Sequence, residues 1–61
     1  MFNRGTSIQA VKKKLSSLPW LIFKEERNFS TGETNLYYNN GDKLTVLYFD
    51  EKKKYITGET I

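Results

Sequence analysis

Neither cysteine nor histidine occurs in this sequence. That removes the commonest nucleophile and general-base pairings, disulfides, and any metal site built on thiolate or imidazole. The carboxylates are Glu25, Glu26, Glu33, Asp42, Asp50, Glu51 and Glu59. Two of them could in principle share acid–base work. Most have a lysine or arginine nearby in sequence, however, and 61 residues leave little room for a deep substrate pocket. Ser7, Ser16, Ser17 and Ser30 have no histidine to activate them. Gly32, Gly41 and Gly58 stand alone rather than in a phosphate-cradling loop, and no acidic run has the spacing of a calcium loop. The expectation is a protein without catalysis, cofactor or metal.

Binding chemistry remains. Ten Lys or Arg against seven Asp or Glu give a net charge of +3, which permits a nucleic-acid or acidic partner without requiring one. Basic residues concentrate in Lys12-Lys13-Lys14 and Lys52-Lys53-Lys54. In a nucleic-acid reading, Lys12, Lys13, Lys52, Lys53 and Lys54 contact phosphates and exposed tyrosines stack on bases. The alternative is a solvated surface in which Lys12 to Lys14 complement the C-terminal end of a helix dipole.

The elements that would hold these groups can be read in order. Thr6 and Gln9 have the spacing of a capping box. Ile8, Val11, Leu15 and Leu18 follow on one helical face, which predicts a helix from about Ser7 to Ser17, ended by Ser16, Ser17 and Pro19. An extended segment begins at Trp20-Leu21-Ile22-Phe23, with either Trp20 and Ile22 or Leu21 and Phe23 inward, and turns polar at Lys24-Glu25-Glu26-Arg27. Ser30-Thr31-Gly32-Glu33 is a turn by composition. Asn35 to Phe49 forms a hairpin about Asn39-Asn40-Gly41. Asp50 to Lys53 makes the next turn, Lys54 to Thr57 a last strand, and Gly58 to Ile61 a frayed end. The fold class is therefore α+β: a single domain over 1–61, with one N-terminal helix packed on a three- or four-stranded antiparallel meander.

The hairpin register decides which residues meet a partner, because a slip of one residue exchanges the two faces of a strand. A two-residue loop at Asn40-Gly41 pairs Leu36 with Thr45. A three-residue loop, Asn39 to Gly41, pairs Leu36 with Leu44 and gathers the apolar residues, so it is the expected register. The predicted core is Ile8, Val11, Leu15, Leu18, Leu36, Leu44, Val46, Tyr48 and Ile56. Tyr37, Thr45, Leu47 and Phe49 then lie on the sheet face opposite the helix, an apolar set where a solvated face is normally polar. They are the expected site for a protein partner or a homodimer, and the expected function is a small protein-binding module, an inhibitor or modulator of a larger protein. Trp20, Phe23 or Ile61 folding over that face is the alternative.

Arg4-Gly5-Thr6-Ser7, then Val11 and Leu15, then Leu36-Tyr37-Tyr38, then Leu44 to Asp50, resembles the αβββ repeat shared by outer-membrane assembly lipoproteins of the SmpA type and β-lactamase inhibitor proteins. The resemblance covers about residues 4 to 56 and implies a protein-binding unit without catalysis. Ser17-Leu18-Pro19 stands where that family usually has Gly-x-Pro, and no lipoprotein signal is visible. The order of a helix before a sheet in a small basic chain also resembles HicA-type toxins, which act on RNA through a histidine that this chain lacks. No apolar run approaches the length of a membrane span and the first residues lack a signal-peptide core, so a cytoplasmic protein with no membrane contact is expected.

Overall fold

A computed structural model describes residues 2–18 and 21–61, residue 40 by its backbone only. Among the described residues one helix, α1 (Ile8–Ser16), precedes four strands, β1 (Phe23–Arg27), β2 (Thr34–Asn40), β3 (Lys43–Phe49) and β4 (Tyr55–Thr60). The strands form one antiparallel meander in the order β1-β2-β3-β4. This is the expected α+β fold, a helix on a meander sheet. Expectations for Pro19 and Trp20 concern residues outside the described ones.

The helix starts one residue later than the capping box suggested. Thr6 is engaged elsewhere: its carbonyl accepts from Tyr55 N–H at 2.8 Å, and its hydroxyl donates to Asn3 O at 2.6 Å. Ser7 takes the cap, with extended backbone and its side chain accepting from Ala10 N–H at 3.3 Å. Gly5 N–H donates to Tyr55 O at 2.8 Å and Ile8 N–H to Lys53 O at 2.9 Å, so the lead-in pairs with the start of β4 and fixes where the helix begins. At the other end Ser17 caps, its hydroxyl donating to Lys14 O at 2.6 Å.

The hairpin register differs from both expected ones. Asn40 pairs with Lys43, Leu36 with Leu47 and Thr34 with Phe49. The loop is Gly41-Asp42, with Gly41 at φ 73°. Glycine at the first position of a two-residue loop is the type II′ pattern. The Asn-Gly signal was genuine, but the glycine opens the loop instead of closing it. Strand β3 (KLTVLYF) is apolar on both faces, so its own pattern could not fix the register.

In this register Leu36, Leu47, Phe49 and Tyr55 pack with Ile8, Val11 and Leu15 of the helix, with Phe2, Leu21, Phe23 and Tyr38 around them. Tyr55 meets Phe49 edge-to-face at 5.8 Å between centroids and Phe2 at 5.9 Å. Leu21 and Phe23 therefore face inward, and Ile22 is exposed. Three expected core residues, Leu18, Leu44 and Ile56, are not fully buried, and Tyr48 is half-buried. Gly58 to Thr60 is paired strand rather than frayed end, and Ile61 N–H donates to Leu44 O at 2.8 Å.

Candidate functional site: the open face of the sheet

The helix covers one face of the sheet. The other is built row by row from the strand pairings. Lys24, Tyr37, Val46 and Glu59 are cross-strand neighbours in one row, and Glu26, Asn35, Tyr48 and Thr57 in the next. Towards the β2–β3 turn, Asn39 pairs with Leu44, which Ile61 adjoins. Val46 lies at the centre, only 2% exposed yet outside the helix-side core. Tyr37 and Tyr48 flank it, both half-buried. Leu44 is 37% exposed and Ile61 73%.

Each tyrosine on this face is oriented by a carboxylate. Tyr48 donates its phenolic hydrogen to Glu59 Oε1 at 2.5 Å. Tyr37 donates to Glu26 Oε1 and accepts from Asn35 Nδ2, both at 3.4 Å. The hydrogen bond to Glu59 holds the Tyr48 phenol above its ordinary pKa, because ionisation would place two anions side by side; desolvation and the charges of Glu59 and Tyr37 push the same way.

This geometry corrects the expected site. Of Tyr37, Thr45, Leu47 and Phe49, only Tyr37 lies on the open face. Leu47 and Phe49 are 0% exposed beneath the helix, and Thr45 is buried on the same side. Pairing Leu36 with Leu47 in place of Leu44 exchanges the faces of β3. Leu44, Val46 and Tyr48 replace them. The signal that could have found these residues is Gly41-Asp42 taken as a type II′ loop, which a glycine at its first position allows.

The lysine triplets lie on the helix and in the β3–β4 turn. Lys12 forms an ion pair with Glu25 of β1 on the helix side. Lys13 and Lys14 are exposed in the last turn of α1. Lys52, Lys53 and Lys54 are exposed in the β3–β4 turn, where Asp50 Oδ1 accepts from the backbone of Lys52 and Lys54 at 2.9 Å each. The turn's backbone docks on the helix start through Lys53 O. Lys12, Lys13 and Lys14, on the helix, thus lie away from the open-face tyrosines.

Among the described residues there is no pocket, no group of three or more acidic side chains placed to hold a metal, and no helix long and apolar enough to cross a membrane. No family model, curated protein or solved structure matches this chain.

Proposed function

We propose that this is a small non-catalytic protein-binding module, acting through the open sheet face. The observation that carries this reading is the composition of that face: Leu44, Tyr37 and Tyr48 around the buried Val46, rimmed by Lys24, Glu26 and Glu59. An apolar centre with aromatics and a charged rim is the make-up of protein interfaces. A phosphate backbone would meet a carboxylate at each tyrosine hydroxyl, which disfavours stacking of nucleic-acid bases there. The flat surface without a pocket suits a macromolecular partner better than a small substrate. The resemblance to the αβββ repeat of SmpA-type and β-lactamase inhibitor proteins points the same way.

The test is site-specific photocrosslinking in cells that express the protein, with the crosslinking amino acid at Leu44 or, as a control, at Lys13 on the helix. A discrete protein adduct from position 44 and none from position 13 is expected. Adducts from position 13 alone, or adducts to nucleic acid, would overturn the reading. So would nucleic-acid binding that falls by orders of magnitude on raising salt and is indifferent to Leu44→Asp.

A further inference from the structure

We infer that the occupant of the open face is a second copy of this chain, held in a twofold face-to-face dimer whose axis runs along the strands between β2 and β3. The inference rests on the reading of that face as a protein-docking surface and names the partner. The face is self-complementary about such an axis. A half-turn places β1 over β4 of the second copy and β2 over β3. The row Lys24, Tyr37, Val46, Glu59 then meets itself reversed. Lys24 faces Glu59 of the second copy, and Tyr37 faces Val46. The same operation lays the turn end of the face, which carries Leu44 and Ile61, over the same end of the second copy, with Leu44 facing Asn39 there. A twofold axis across the strands would instead lay that end on the polar row of Glu26 and Thr57.

The charges support the pairing independently. Within one chain Lys24 and Glu59 sit on opposite edge strands, three strand spacings or about 14 Å apart, so they cannot satisfy each other. Among the described residues neither has an ion-pair partner. Tyr48 occupies Oε1 of Glu59, and Oε2 remains to accept from an incoming ammonium. Sheets stacked face to face keep their strands within about 30° of parallel, and the flexible stem of lysine spans the resulting offset. Four strands of this length present a few hundred Å² per copy, an estimate from strand spacing and rise. That is at the low end for specific interfaces, so the dimer should be weak, with a dissociation constant of about 10 µM or above.

The experiment is sedimentation equilibrium on the whole chain up to about 1 mM, which brackets the affinity expected from the interface size. Wild type should pass from monomer to dimer over this range. Lys24→Glu should be monomeric, because the new carboxylate at position 24 then meets the native carboxylate of Glu59 at both ends of the row. Glu59→Lys should also be monomeric, because the new ammonium at position 59 then meets that of Lys24. An equimolar mixture of the two variants should dimerise again, since each copy supplies the charge that the other now needs. Both sites are on the surface, and circular dichroism of each variant checks that the monomer is folded. A monomeric wild type at 1 mM, dimeric single variants, or a mixture that stays monomeric would each overturn the inference. A monomeric wild type that still gives a foreign-protein adduct from position 44 would sink the dimer and leave the protein-binding reading standing.

Discussion

At the scale of single residues, two positions show how narrowly this small core is fitted. The Thr34 hydroxyl is fully buried without a hydrogen-bond partner. A hydroxyl taken from water without compensation costs stability, and valine has nearly the same shape and keeps the β-branch that a strand favours. Thr34→Val should therefore stabilise the domain by about 1 kcal/mol, read as a higher urea midpoint at unchanged slope. The second position is Gly58. A Cβ there would lie 2.8 Å from Leu47 Cδ2, 3.0 Å from the Tyr55 hydroxyl oxygen and 3.2 Å from the Val46 carbonyl oxygen. Leu47 and Tyr55 are both core residues and have little room to withdraw. Gly58→Ala should cost about 1–3 kcal/mol as an overpacking change, although alanine is ordinarily the better strand residue. A melting temperature equal to that of wild type would show that Leu47 and Tyr55 can withdraw from a Cβ at position 58. The absence of cysteine and histidine was legible residue by residue. The need for glycine at position 58 was not, because it arises from side chains on β3 and at the start of β4 that only the register brings together.

At the scale of elements, legibility followed how one-sided each segment's pattern is. The helix has a single apolar stripe, Ile8, Val11 and Leu15, and its extent was readable to within a residue. The shift of its cap from Thr6 to Ser7 comes from a non-local pairing with β4, which no local motif contains. The order and direction of the strands were equally readable from turn residues. The turn at Asp50 to Lys54 forms as its composition suggests, with Lys53 at φ 61°. Strand β3 is the opposite case. Leu44, Val46 and Tyr48 alternate with Thr45, Leu47 and Phe49, and either set could serve as core. The choice is made by the helix, which covers Leu47 and Phe49 together with Leu36 and Tyr55. A pair of truncations tests the register. Leu47→Ala removes a fully buried side chain and should cost about 2–4 kcal/mol. Leu44→Ala acts on a residue 37% exposed and should cost less than about 1 kcal/mol in the monomer. Denaturant unfolding at low protein concentration compares them, and the reverse ranking would restore the pairing of Leu36 with Leu44.

At the scale of the whole molecule, one helix and one sheet make two layers with a single shared core, so the groups on the two sheet faces report differently on global stability. Tyr55 lies in the core, and burial there raises its phenol above the ordinary value, with a smaller contribution from the charge of Tyr38. Tyr48 on the open face is raised too, chiefly by its hydrogen bond to Glu59. In both cases the native state holds the phenolic proton more tightly than the unfolded chain, whose tyrosines titrate near about 10. The associated stability is therefore complete below about pH 10 and is lost as pH rises through the native values. Urea midpoints should be level from neutral pH to about 9 as far as these phenols govern them, and should fall above about 10. Tyr55→Phe keeps the ring against Phe2 and Phe49 and removes the titrating group. Its midpoint should fall less steeply than that of wild type between about pH 10 and 11, estimated from the same reference value. Tyrosinate absorbance followed alongside the unfolding curves assigns the loss. If wild type and Tyr55→Phe decline in parallel, the phenol at the centre of the core is not what alkaline pH attacks, and the packing of β4 against the helix side of the sheet is looser than its buried ring implies.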